Sequence, residues 1–225
     1  MKYVISLGGS ILVPDKINLS YIRRFVSLIR RQLARGHTFL IVTGGGETAR
    51  RYIRAAQKLT KTVSNFDLDW MGISATKLNA QLLNAAFGKL SRTGIINDPS
   101  EARGDLKKVN IVSGWKPGWS TDYVAVRICQ SYQIGTLLNL SNIDYVYDAD
   151  PRSNKKAKKI VRLTWQKFRQ QFGSKWYPGA HLPFDPKAAK LAEKLGVKVV
   201  ILNGLKLQNL QGFLDGKKFA GTWIE

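Results

Sequence analysis

The 225-residue chain predicts an α/β fold with a mainly parallel sheet covered by helices. Apolar strand-like runs alternate with amphipathic helical runs along the whole chain, and that order builds a parallel sheet through helical crossovers. The length suffices for one sizeable buried core, and a hydrophobic content of 44% is ordinary for a globular protein. No internal repeat and no low-complexity linker divides the chain.

The elements follow in order. KYVISL (2–7) reads as a strand and ends in Gly8-Gly9-Ser10. From Asn18 to Arg35, Ile22, Phe25, Val26, Ile29 and Leu33 recur at helical spacing, and Gly36 can stop that helix. TFLIVT (38–43) is a second strand, ending in Gly44-Gly45-Gly46. Residues 47–59 and 69–87 read as helices, while Ser91 to Lys108 shows only a weak pattern. VNIVSG (109–114) is another strand, and Ser120 and Thr121 can cap a helix to about Tyr132. TLLNL (136–140) is a strand leading into SNIDYVYDADP. A helix follows Asp185-Pro186, then the strand VKVVIL (197–202), a helix over 206–214 and a short strand in FAGTWI. The Lys-rich piece 152–159 reads as a loop within one domain of two lobes.

Composition excludes several functions. The single cysteine, Cys129, lies in an apolar helical stretch and reads as core, so no internal disulfide framework exists. His37 and His181 are far apart and lack neighbouring ligands, which argues against a His/Cys metal site. There is no signal-peptide layout and no apolar run of membrane-spanning length, so a soluble, cytoplasmic protein is expected. The formal charge is +21; residues 155–175 carry eight Lys or Arg and no acid, and Tyr21 to Arg35 holds five arginines. Such a surface attracts polyanions or concentrates small anions, and charge alone does not choose between nucleotide and nucleic acid.

Four strand ends stand out: LGGS (7–10), TGGGETAR (43–50), SGWKPGWSTD (113–122) and SNIDYVYDADP (141–151). In a parallel sheet these ends share one edge, where open α/β proteins bind ligands. Backbone N–H groups of glycine-rich turns and of helix N-termini accept phosphate oxygens. Arg50, one turn into its helix, can fork onto a phosphate, while Arg51 and Arg54 are expected to face solvent. Ser120, Thr121 and Asp122 open a helix toward the same crevice; Asp122 either complements the helix dipole or holds a phosphate-binding cation. No P-loop, dinucleotide fingerprint or protein kinase signature occurs.

With these motifs in hand, the chain resembles the amino acid kinase superfamily, and within it the archaeal-type uridylate (UMP) kinases. The resemblance spans nearly the whole chain through LGGSILVP, VTGGGETARRYI, DWMGISATKLNAQLL, GWKPGWSTDYVAV, SNIDYVYDADP, FDPKAAKLAEKLGVKVVILNG and GTWIE. It implies an αβα sandwich and phosphoryl transfer from ATP to UMP. By matching positions, Gly9, Ser10, Gly46 and Arg50 would meet ATP phosphates, and Ser141, Asn142, Tyr147 and Asp150 would line the nucleoside side of ATP. Gly45 and Asp69 would meet UMP, and the loop Trp115, Lys116, Pro117, Gly118, Trp119, Ser120 and Thr121 would wrap it. Ser10, Arg50 and Asp122 form the expected catalytic set. The resemblance further implies Mg²⁺ held through phosphates and a homohexamer, a trimer of dimers, with the 69–87 helix at a dimer contact. The acceptor lobe would cover roughly 1–134 and the ATP lobe roughly 135–225.

The chain also departs from the pattern. Ser6 stands where much of the superfamily has a lysine, which leaves Lys16, Arg50 and Lys116 as candidate cations. Trp119 replaces a histidine, Trp115 a small polar residue and Tyr145 a glycine, and GSKWYPGAHLPFD is bulkier than the family's loop. Two other readings stay open: another small-molecule kinase of this fold, acting on isopentenyl phosphate or a carboxylate, and a nucleotide- or nucleic-acid-binding protein without catalysis. Trp115, Trp119, Trp176 and Tyr177 are the aromatics that could stack on bases in the latter.

Overall fold

The computed structural model describes residues 1–225 apart from 101, 103–105, 152 and 174–181. The chain begins with β1 (Lys2–Leu7), a single turn α1 (Gly9–Leu12), α2 (Leu19–Ala34), β2 (Thr38–Thr43), α3 (Gly46–Leu59) and α4 (Asn65–Phe87). It continues with β3 (Val109–Val112), α5 (Thr121–Ser131), β4 (Thr136–Ser141), β5 (Val146–Tyr147), β6 (Lys159–Ile160) and β7 (Arg162–Leu163). It closes with α6 (Trp165–Phe172), α7 (Pro186–Leu195), β8 (Lys198–Asn203), α8 (Leu207–Leu214) and β9 (Thr222–Ile224).

Seven strands form one sheet in the order β3-β2-β1-β4-β8-β9-β7, and β5 and β6 pair separately. β3, β2, β1, β4 and β8 are all parallel, whereas β9 runs antiparallel to β8. Both faces are buried, which is why the strands read as continuous apolar runs. Across the sheet, the register aligns Ile111, Ile41, Ile5, Leu138 and Val200 in one row, and all five face a core shared with Phe25, Ile29 and Phe87. The neighbouring row of Leu40, Val4, Leu137 and Val199 faces the opposite core, with Val124, Ile128, Phe168 and Ala188. Period-two alternation thus gives α2, α4 and α8 one face and α5, α6 and α7 the other. Each fully enclosed Ile, Leu or Phe in these layers contributes about 1.5–3 kcal/mol. Cys129 is one of them, and burial pushes its thiol pKa up, so it is core.

Local chemistry explains the helix starts. Asn18, Ser64, Ser120, Thr164 and Asp185 each accept a first-turn backbone N–H with the side chain, and Gly196 ends α7 in the left-handed region at φ +66°. Ser64 starts α4 at Asn65 rather than at 69, so Asp69 sits inside the helix, in its second turn. α6 and the one-turn α1 were not anticipated from the pattern, and neither were β5, β6 and β7. The weak stretch 91–108 contributes only isolated bridges, Ser91 to Val109 and Ile96 to Val112. Among the described residues no helix is long and apolar enough to cross a membrane.

The order of the strands positions the site. From central β1 the chain winds outward to β2 and β3, then returns past β1 to β4 and β8. The carboxyl ends of β1 and β4 therefore form the switch point at which open α/β sheets hold ligands.

Candidate active site

At that edge the two glycine loops pack backbone against backbone. A Cβ on Gly9 would lie 2.1 Å from the Gly46 nitrogen, and one on Gly46 would lie 2.4 Å from the Gly9 carbonyl oxygen. Gly46 also has φ +65°, a conformation that glycine adopts without strain. Gly8 N–H donates to Leu140 O at 2.9 Å and Glu47 N–H to Val13 O at 2.8 Å, which ties β1, β4 and α3 together. Asn79 donates from its side chain to Gly44 O at 2.7 Å and to Gly45 O at 3.2 Å. Close packing thus accounts for several of the glycines directly. It also brings the starts of α1 and α3 side by side, and first-turn N–H groups have no partner inside their own helix.

Beneath the switch point lies a polar junction. Asp122, in the first turn of α5, accepts hydrogen bonds from Ser6 Oγ at 3.0 Å, Asn139 Nδ2 at 2.9 Å and Asp185 N–H at 3.3 Å. Burial, and then the neighbouring Asp185 carboxylate, push its pKa up to about 6; the three donors pull the other way. Ser120 Oγ donates to Asp185 Oδ2, so the caps of α5 and α7 are bonded to each other. The partners of Asp122 are a hydroxyl, an amide and a backbone N–H. Among the described residues its carboxylate is thus engaged by neutral donors, Ser6 among them.

A third group closes over the edge. Gly118, at φ +83°, lets the 115–119 loop turn, and its N–H donates to Asp69 Oδ2 at 2.7 Å. The Trp115 and Trp119 rings stack with centroids 6.1 Å apart, and Trp119 lies 4.1 Å from Tyr123. Lys116 Nζ sits 4.1 Å over Trp115. Lys187 Nζ donates to Gly118 O at 3.3 Å and lies 5.9 Å over Trp119. Asp69, Gly118, Trp119, Ser120, Asp185 and Lys187 line one pocket.

The remaining expected residues take varied places. Ser10 and Gly9 lie in α1, and Gly45 caps α3. Arg50 does not reach over the glycine loop; its guanidinium lies 2.7 Å from Glu47 and its side chain is 47% exposed. Arg54 also pairs with Glu47, and Arg51 with Asp15; both face solvent as expected, in surface ion pairs. The cause is Glu47 in the first turn of α3, one and two turns before them; bonds from Arg54 and Arg50 hold its carboxyl below the usual range. Lys16 is exposed beyond α1. Ser141 and Asn142 end β4, with Ser141 Oγ accepting from Ile143 N–H. Tyr147 belongs to the β5–β6 pair, and the Asp150 carbonyl accepts from Asn154 N–H at 2.8 Å. Pro117 and Thr121 flank the aromatic turn. Trp176, Tyr177 and His181 lie outside the described residues.

Three residues at the site, Asn139, Asp185 and Lys187, were missed, and Ser6 was singled out without its bond to Asp122. Ser6 and Asn139 read as strand positions, and Asp185 and Lys187 as a helix start. The available signal was the Asp-Pro cap, since a helix opening beside another capped helix shares its edge.

The model of the amino acid kinase family matches residues 1–203. A uridylate kinase of Thermococcus onnurineus is 34% identical over 230 residues, covering all of both chains. One of Natronomonas pharaonis is 31% identical, covering 96% of this chain and 95% of its own. Among solved structures, the uridylate kinase from Archaeoglobus fulgidus aligns over both full chains with a TM-score of 0.85 at 33% identity. The two-faced sheet, the paired glycine loops and these full-length similarities place the chain in the amino acid kinase family.

Proposed function

We propose that this protein is a uridylate kinase, transferring the γ-phosphoryl group of ATP to UMP. The observation that carries the reading is the meeting of Asp69 with the 115–121 loop in one pocket. A carboxylate that binds the loop N–H is also an acceptor for ribose hydroxyls, and the loop is placed to wrap a small acceptor. The full-length similarity to archaeal uridylate kinases supports the same assignment.

The residue types suit the chemistry. The acceptor is already a phosphate anion, so no strong general base is needed. Catalysis rests on alignment and on neutralising the transferring group. Gly9, Ser10 and Gly46 would present N–H groups to the phosphates of ATP, and Arg50 would exchange Glu47 for a phosphate. Ser141, Asn142, Tyr147 and Asp150 would line its nucleoside side. Gly45, Asp69 and the loop from Trp115 to Thr121 would hold UMP. Roughly 1–134 would form the acceptor side and 135–225 the ATP side. Asp122 has its oxygens engaged within the protein, and no cluster of three or more His, Cys, Asp or Glu side chains placed for a metal occurs among the described residues. That donor set suits Mg²⁺ carried on the nucleotide phosphates, where it would offset their charge.

A homohexamer, a trimer of dimers, is part of the proposal. On α4, Phe66, Trp70 and Leu78 are exposed apolar side chains, a surface suited to a second copy. A cytoplasmic location follows from the substrates. The basic surface, including the exposed Arg23, Arg24 and Arg31 of α2, would raise the local concentration of nucleotides.

The test is ADP release from Mg-ATP with UMP, CMP, dUMP, GMP, isopentenyl phosphate, N-acetylglutamate or no acceptor. Rapid turnover with UMP alone supports the proposal. Preference for isopentenyl phosphate would favour the second reading, another kinase of this fold, for which the stacked Trp115 and Trp119 speak. Nucleotide binding without any turnover would sink both.

A further inference from the structure

We propose that Lys187 is the catalytic cation of this site, meeting the transferring phosphoryl group in place of the lysine that Ser6 replaces; the inference rests on the kinase reading above. Phosphoryl transfer between two nucleotides gathers several negative charges in one crevice, and a preorganised cation there is a principal source of rate. The three cations expected from the sequence do not line the pocket that Asp69 and the 115–119 loop form. Arg50 lies on Glu47, Lys116 lies over Trp115, and Lys16 is exposed beyond α1.

Lys187 shares the exposure of Lys16 and, like Lys116, lies over an indole face; its place in the pocket is what sets it apart. It lines the pocket together with Asp69, Trp119 and Ser120. Among the described residues its ammonium meets a neutral carbonyl, Gly118 O at 3.3 Å, and the Trp119 face, and it forms no ion pair. A phosphate oxygen could therefore take that ammonium without first breaking a salt bridge. Its place in the helix points the same way. Lys187 follows the cap Asp185 and Pro186 in the first turn of α7, where the helix dipole disfavours a positive charge. Helix stability does not call for a lysine there, but an anion beside the pocket would.

In the step itself, a phosphate oxygen of UMP forms a bond to the γ-phosphorus. The bond from that phosphorus to the β–γ bridging oxygen breaks, and its electron pair leaves with ADP. Lys187 donates hydrogen bonds to the equatorial oxygens and keeps its protons.

The competing role is a mere tether of the 115–119 loop through Gly118 O. Two variants separate these roles. Lys187→Gln keeps an N–H donor for the carbonyl but loses the charge, and Lys187→Arg keeps the charge. With UMP and ATP, Lys187→Gln is expected to lower kcat about 100-fold or more. Dissociation constants for UMP and ADP, measured by calorimetry, are expected to stay within about threefold, and Lys187→Arg to recover at least about a tenth of the wild-type kcat. Melting curves establish that both variants are folded. Lys187→Gln turning over at the wild-type rate overturns the proposal, as does a loss confined to the UMP KM, which is the tether's signature. Wild-type protein inactive toward every acceptor would instead overturn the kinase reading, and this inference with it.

Discussion

Replacing Asp122 with asparagine tests the polar junction under the switch point. The carboxyl of Asp122 is shifted from 3.8 to about 6 by burial and by the Asp185 carboxylate, against the pull of Ser6, Asn139 and the Asp185 N–H. The folded state therefore holds a proton that the unfolded chain has already released between those two values. The stability from this proton is fully present below pH 3.8 and is lost as pH rises through 6. At about 1.4 kcal/mol per pH unit, the loss comes to about 3 kcal/mol. In Asp122→Asn the amide oxygen still accepts from Ser6 and Asn139. The contact with Asp185 N–H, 3.3 Å in the parent, is weakened equally at every pH. Urea unfolding of both proteins at pH 4 and pH 7 isolates the effect, since every other titrating group is shared. The stability of the variant relative to the parent should improve by about 2 kcal/mol on going from pH 4 to pH 7, since at pH 4 part of the effect is already lost. Parallel curves, with a constant gap between the two proteins, would refute the argument.

Three other substitutions probe the edge. Arg50→Ala should lower kcat/KM for phosphoryl transfer on the order of tenfold to a thousandfold, and an unchanged rate would leave Arg50 as a partner of Glu47 only. Asp69→Asn should raise the UMP KM more than the ATP KM in steady-state assays; a selective effect on ATP would mean that donor and acceptor sides are reversed. Gly9→Ala should destabilise the protein by about 3 kcal/mol in urea unfolding, because its Cβ would lie 2.1 Å from backbone. Gly72→Ala, with nothing within 4 Å of the added methyl, serves as the neutral or stabilising control.

Elements with strong periodicity were legible in the sequence. Strands β1, β2, β4 and β8 carry runs of consecutive apolar residues because both faces are covered, and α2 shows its stripe plainly. Short elements were not: β5, β6 and β7 span two residues each, too few for alternation to register. The site was legible where a loop carries its own signal, as at the glycines and at Ser120. Asn139 carried none, and Ser6 showed only as a departure from the resemblance, because a lone polar residue in an apolar strand says nothing of its partner across the sheet. The pairing of Arg50 with Glu47 was likewise hidden, since sequence spacing allows both that ion pair and a phosphate contact.

The backbone contact between the Gly9 and Gly46 loops has an evolutionary side. Two positions far apart in the chain act as one constraint, because a side chain on either displaces the other's main chain. Neither loop can be retuned by a single substitution, so a change of acceptor cannot begin there. The adjacent 115–119 loop is bound at Gly118 alone, whose φ of +83° favours glycine; Trp115 and Trp119 already carry indole rings. Diversity among proteins built on this frame should accumulate around Gly118 in that loop while the paired glycines stay fixed, and directed evolution for a new acceptor would do best to randomise residues 115–117 and 119 first.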